Sequence, residues 1–232
     1  MELIISLTIN GLATGMLIFL LAAGVTLIFG LMDVLNFAHG GLFVWGAYTG
    51  IFAYAFTESF TIGIIIALLT GAILGFITEK LIITPVYGNH VQQILITLGL
   101  MIVLSECIKV VFGPNGIPVS VPPLLAGSWE VGNIIIIKYR IFIIVIGFII
   151  YGLFHYILTR TKIGLIVRAG VMNKEMVQAL GINIKRVFLY VFMVGAALAG
   201  LGGVLMAPYS GVIYAEMGME YAILGFIVVV IG

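Results

Sequence analysis

Leu3 to Leu31 reads LIISLTINGLATGMLIFLLAAGVTLIFGL, a stretch without a single charge. A membrane-crossing helix needs roughly 20 consecutive apolar residues, and this stretch exceeds that. A cleaved signal peptide would have a basic start and a small-residue cleavage site after a shorter apolar core. Neither is present, so the stretch reads as a retained spanning helix. The rest of the chain agrees. Of 232 residues, 63% are hydrophobic and 8% charged, against about 25% charged in a soluble domain. Ten Lys/Arg and nine Asp/Glu cannot clothe a water-facing surface.

Further charge-free runs fall near 41–56, 62–78, 91–112, 141–158, 187–212 and 222–232. They are continuous rather than alternating, which makes a lipid-facing β-barrel a poor alternative. The expected fold is therefore all-α, a polytopic bundle with six or seven spans in view and no separate soluble domain. The runs 41–56 and 62–78 are short and flank the polar stop Thr57-Glu58-Ser59, so a hairpin that crosses only partway is an expectation here. The last run is cut at Gly232. A lipid-buried helix cannot end there with its carbonyls unpaired, so a chain that continues past this point is expected.

Segment 159–186 holds Arg160, Lys162, Arg168, Lys174, Lys185 and Arg186 against Glu175 alone. The positive-inside rule places it in the cytoplasm. Counting outward, 113–140 is external, 79–90 cytoplasmic and 57–61 external, with the N-terminus outside. The external loop is rich in turn formers: Gly113-Pro114-Asn115-Gly116, then Pro122-Pro123. Its β-branched end, Gly132 to Tyr139, is expected to give one strand of a small hairpin at the membrane surface.

Four features bear on function. Asp33-Val34-Leu35-Asn36-Phe37-Ala38-His39-Gly40-Gly41 concentrates polar groups and glycines between two apolar runs. At membrane depth, unwound backbone is tolerated only where it lines a cavity or is covered by protein, and Asn36 and His39 would then offer hydrogen bonds to a solute. The alternative is a plain cytoplasmic turn in which Asp or Asn caps the next helix. Second, Asn173 is a good N-cap, Glu175 suits the positive first turn, and Met176, Ala179 and Leu180 share a face before Gly181 stops the helix. This short helix outside the bilayer fits a groove on a partner protein or the lipid surface. Third, Glu106 and Lys109 can pair at i, i+3 near the outer end of their helix. Fourth, Gly11/Gly15, Gly46/Gly50, Gly71/Gly75, Ala196/Gly200 and Ala199/Gly203 are small-xxx-small pairs that favour close helix contact.

Chemistry of other kinds has no visible constellation. There is no GxxxxGK[ST] phosphate loop, no HExxH, no Cys/His cluster and no GxSxG elbow, so neither a cofactor, a metal site nor a catalytic residue is expected. The net charge of +1 gives no sign of nucleic-acid binding. Cys107 stands alone and cannot form an internal disulfide.

Asn36-Phe37-Ala38-His39-Gly40 followed by Gly46-Ala47-Tyr48 resembles the first-helix signature of LivH-type permeases, subunits of ABC importers of branched-chain amino acids. Arg168-Ala169 through Leu180-Gly181-Ile182-Asn183, then Ala196 to Gly200 with Gly202-Gly203, is similar to that family's coupling loop and following helix. Phe226 to Gly232 resembles the start of its next helix. The resemblance implies one permease domain over 1–232, incomplete at its end, in a prokaryotic inner membrane. It implies a second, LivM-type permease subunit, two cytoplasmic ATP-binding subunits and an extracytoplasmic solute-binding protein as partners. Asn36, Phe37, His39 and Gly40 would lie near the solute pathway. Asn173, Glu175, Met176, Ala179, Leu180 and Gly181 would build the helix that docks on an ATPase. The coupling segment carries Met176-Val177-Gln178-Ala179 where many ABC importers carry Glu-Ala-Ala. Related importers are thought to carry urea and short amides as well. From the residues alone, a self-sufficient secondary carrier or channel is the competing reading, with Asp33 and the Glu106/Lys109 pair as its candidates for ion coupling.

Overall fold

A computed structural model describes residues 2–131 and 134–231 of the chain. Each of the seven apolar runs is a helix. Their bounds are α1 (Glu2–Met32), α2 (His39–Thr57), α3 (Phe60–Thr78), α4 (His90–Phe112), α5 (Lys138–Arg160), α8 (Ile184–Ser210) and α9 (Met217–Ile231). Two short helices, α6 (Lys162–Met172) and α7 (Lys174–Ala179), fill the basic segment. Five helices are long and apolar enough to cross a membrane: α1, α3 with its extension to Val86, α4, α5 and α8.

Of the two runs that looked short, only the second needs correction; α2 is not among the five helices long and apolar enough to cross. The first gives a 19-residue α2, about 28 Å at 1.5 Å per residue, close to the hydrocarbon thickness. The second does not stop at Thr78. A π turn over Glu79–Ile83 and a 3-10 turn over Thr84–Val86 carry it on. The charges of Glu79-Lys80 suggested an end. Glu79 is instead buried, and its Oε1 accepts from the Tyr87 hydroxyl at 2.6 Å and from Thr84 Oγ1 at 3.2 Å. These two hydrogen bonds offset part of the cost of burying the carboxyl group. The polar stop is a tight turn: Glu58 sits in the left-handed region at φ 55° and its N–H donates to Tyr54 O at 2.8 Å.

α8 is the central post. It is 67% buried over its apolar window, whereas α5 is 11% buried and faces outward. Around α8 pack α1, α2 and α3. The approach is close because the sequence removes side chains at the crossings. A Cβ on Gly46 would sit 2.6 Å from Gly200 O, and one on Gly71 would collide with Ala196 O. Gly11 and Gly15 meet nothing within 4 Å. Among the described residues, a side chain at either position would thus meet open space rather than a neighbouring helix.

At one end of the bundle β1 (Ile117–Pro118) pairs antiparallel with β4 (Val212–Ile213), and β2 (Ser128–Val131) pairs with β3 (Ile134–Ile137) in the register Ser128↔Ile137. This is the expected hairpin. Its tip, Gly132 and Asn133, lies outside the described residues, as does Gly232. Lys138 and Tyr139, expected in the strand, instead open α5.

Candidate functional site

Two regions carry the residues singled out by the sequence, and they lie at different depths. The first is the unwound block 33–38 between α1 and α2. Asp33 ends α1 in the left-handed region at φ 58°, its N–H donating to Phe29 O. The chain then turns back into the bundle rather than running along its surface. Thr97 Oγ1 lies 3.3 Å from Leu35 O, seven residues into α4 and so about 10 Å from its start. The His39 ring reaches Gly24, eight residues back from the end of α1, or about 12 Å. Asn36 and His39 are therefore set into the bundle and covered by protein, while Asp33, at the start of the block, is exposed.

The capped-turn alternative fails here. Ala38 occupies the N-cap of α2 and no side chain caps it. Asn36 and His39 are 1% and 0% exposed. Neither polar atom of the Asn36 amide has a hydrogen-bond partner, and the His39 ring, outside strict hydrogen-bond geometry with any atom, lies beside the Leu21 backbone. An unsatisfied buried polar group costs about 1–3 kcal/mol, so the Asn36 amide is an expensive feature of the core. The two neighbours named with them have packing contacts. Phe37 stacks on Phe226 with centroids 4.6 Å apart. Gly40 touches the backbone of Gly218 at the α2–α9 crossing, where a Cβ on Gly218 would fall 2.5 Å from Gly40 O. Gly24, Gly195 and Gly218, which shape this surrounding, gave no sequence signal beyond being glycine.

The second region is the basic segment. Thr161 caps α6 through Oγ1, accepting from Gly164 N at 3.1 Å. Asn173 caps α7 as expected, Oδ1 accepting from Met176 N at 2.9 Å. At the other end Gly181 takes φ 81°, its N–H donates to Gln178 O, and Ile182 N–H donates to Val177 O. These two bonds form a Schellman stop. Val177, unremarked in the sequence, is buried and pins α7 to the bundle. Met176, Ala179 and Leu180 are exposed, as is Glu175. The apolar face read from the sequence thus has no partner among the described residues.

Behind α7 lies a cavity of about 270 Å3 lined by Met32, Asp33, Tyr87, His90, Lys174 and Phe188, among others. Lys174 Nζ is 3.4 Å from Met32 O and stands over the Phe188 ring at 5.7 Å. Tyr87 meets Phe188 edge-on at 5.6 Å. Asp33 and His90 are 3.6 Å apart and form an ion pair when the imidazole is protonated. One end of the molecule therefore gathers the α1 exit, the turn before α4 and the coupling segment, as the cytoplasmic count of loops required. Among the described residues no group of three His, Cys, Asp or Glu side chains could hold a metal.

Residues 7–232 match the family described as branched-chain amino acid transport system / permease component. The chain belongs to that family. It is of the LivH type. It is 29% identical over 240 residues to the high-affinity branched-chain amino acid transport system permease protein BraD of Pseudomonas aeruginosa, covering 97% of this chain and 77% of that one. It is 27% identical to LivH of Escherichia coli K12, covering 96% and 77%. A tyrosine transport system permease protein of Clostridioides difficile is 26% identical, covering 97% and 72%. No solved structure matches the chain. Family membership and the five long apolar helices make it a multi-pass protein of the inner membrane and a transport permease.

Proposed function

We propose that the chain is one of two permease subunits of an ABC importer for branched-chain or related amino acids, driven by ATP hydrolysis on two cytoplasmic subunits and fed by an extracytoplasmic solute-binding protein. The relatives named for branched-chain amino acids and for tyrosine support this class of solute. The observation that carries the coupling is the build of α7. Both ends are locally fixed, Val177 anchors it, and Met176, Ala179 and Leu180 are left bare. An apolar helix face on the basic, cytoplasmic side suits a groove on an ATPase. Contact there shifts the permease between outward- and inward-open states only as far as the two states bind the ATPase differently. The second permease subunit would be of the LivM type.

The test is ATP-driven amino-acid uptake into proteoliposomes holding this chain with its partner subunits. Changing Met176 and Leu180 together to Asp is expected to abolish uptake while the chain still folds. Retained uptake by that variant would remove α7 as the coupling element. Uptake by this chain alone, driven by a proton or sodium gradient, would replace the importer reading with a secondary carrier.

A further inference from the structure

Helix α5 packs on α1 and barely touches α8. The gap between α5 and α8 is an open groove of about 460 Å3. Phe154 and Ile157 line one wall, Tyr190 and Val194 the other, and Leu27 of α1 is the floor. Helix α6 closes the cytoplasmic end with Ile163. Apart from the Tyr190 hydroxyl, no side chain of the lining is polar. Ile163, Tyr190 and Val194 are 66%, 64% and 48% exposed, so the groove is open along its lip. Val194 lies ten residues beyond Ile184, about 15 Å from the cytoplasmic start of α8. One leaflet contributes half of the roughly 30 Å hydrocarbon core. The groove therefore has the reach of a single acyl chain entering from the cytoplasmic leaflet.

The mouth of the groove is basic. Arg160 follows Ile157 by three residues at the end of α5, Lys162 precedes Ile163 on α6, and Arg186 stands one turn before Tyr190 on α8. All three are exposed, and among the described residues none has a carboxylate within ion-pairing distance. Membrane orientation asks only that positive charge lie on the cytoplasmic side. It does not ask three helices to bring theirs to the end of one apolar groove. Arg and Lys lay their apolar stems on such a surface and hold their charged heads at the membrane interface, the level that tyrosine also prefers. We propose that this groove binds one anionic phospholipid of the cytoplasmic leaflet, an acyl chain lying between α5 and α8 and the phosphate among Arg160, Lys162 and Arg186. Basic pockets between spanning helices on the cytoplasmic side select anionic head groups in this way. The lipid fastens α5 and α6 to α8 across the gap between them. A zwitterionic lipid would fill the groove but leave the cations without a net counter-charge. The inference is independent of the solute that the chain carries.

The test uses the purified full chain in a mild detergent, with phosphatidylglycerol and phosphatidylcholine of identical acyl chains as probes. Native mass spectrometry is expected to show one phosphatidylglycerol retained, bound at least tenfold tighter than phosphatidylcholine. The same lipid is expected to raise the melting temperature by a few degrees. Changing Arg160, Lys162 and Arg186 together to Gln is expected to bring the two lipids to equal affinity. Val194→Trp, which fills the groove, is expected to weaken both. Ile163→Gln, at an exposed position, is expected to do the same in a chain that folds like wild type. Glycerol phosphate, the head group without chains, is expected not to compete. Equal affinity of wild type for the two lipids would mean bulk lipid only and overturn the site. Selectivity that survives the triple variant overturns it too, as does binding that survives both Val194→Trp and Ile163→Gln. Competition by glycerol phosphate would place the anion in a site that owes nothing to the groove. A lipid-free dimer that Val194→Trp dissociates would give the groove to a second copy, and lipid expelled on adding the partner subunits would give it to one of them. Each of these three outcomes also overturns the lipid site.

Discussion

The Lys109 ammonium on α4 lies 2.7 Å from a carboxylate oxygen of Glu216, in the turn before α9, and 2.8 Å from Glu106 on its own helix. The pairing within α4 holds no two elements together. The pairing with Glu216 ties α4 to the segment that carries β4 into α9. The Lys109 side chain, donating to it, holds the Glu216 carboxyl below the usual carboxylate range. A carboxyl lowered in the folded state adds stability that is fully present above its unfolded pKa and is lost as pH falls through the lowered value. Wild type is therefore expected to lose more melting temperature than Glu216→Gln on acidification from neutral to well below the carboxylate range. Equal acid sensitivity in the two proteins would mean that the tie contributes nothing.

The coupling helix has three separable supports. Asn173→Ala removes its N-cap and is expected to cost about 1 kcal/mol of local stability. Gly181→Ala places a Cβ at φ 81° and is expected to cost about 1 kcal/mol as well. Val177→Ala removes the buried anchor, at about 2 kcal/mol. Amide hydrogen exchange over 174–182 checks all three. Faster exchange confined to that segment is the expected result, with α8 protection unchanged.

The glycine pairs divide into used and unused sets. Gly71→Val would drive a side chain into Ala196, and Gly46→Val into Gly200. Both variants are expected to lose most of the monodisperse protein on size-exclusion chromatography. Gly11→Val and Gly15→Val meet open space and are expected to give wild-type yield. Loss of uptake in these latter variants with normal folding would place that stripe at a contact with another subunit.

Glu79 depends on the hydroxyl of Tyr87. Burial, then the hydrogen bond and charge of Glu79, push that phenol above its ordinary range, so it donates at every working pH. Tyr87→Phe leaves Thr84 as the remaining partner of that carboxylate oxygen. A loss of about 1–3 kcal/mol is expected, read as a lower melting temperature, with Glu79→Gln/Tyr87→Phe recovering part of it. Additive losses in the double variant would deny the pairing.

The spans were legible because length and apolarity are local properties, and a bilayer asks for little else. The ends of α7 were legible for the same reason: Asn173 and Gly181 each act on backbone within a few residues. Other readings failed where the answer lay elsewhere in the chain. Glu79-Lys80 looked like a helix end because Tyr87, which satisfies Glu79, sits beyond the turn. Lys109 was read with Glu106 alone because Glu216 comes from a distant segment. Helix α6 went unread since Lys162, Gly164, Arg168 and Gly170 resemble loop composition, and its burial depends on contacts with α5 and α1. That the buried Asn36 amide sits without a partner is invisible in sequence, because absence of a hydrogen bond is a property of the whole assembled core.

Helix α8 starts two residues after Ile182, where the α7 stop ends, and finishes at Gly211, whose carbonyl accepts from Val119 N at 2.9 Å beside the β1–β4 pair. Its 27 residues make a rod of about 40 Å, packed on most of its length and broken in its hydrogen-bond ladder only near the far end, at Pro208. A tilt imposed at Ile184 on one side of the membrane must then reappear at the strand pair on the other, or be absorbed in the last turn. The two water-facing ends of this molecule are mechanically a single part.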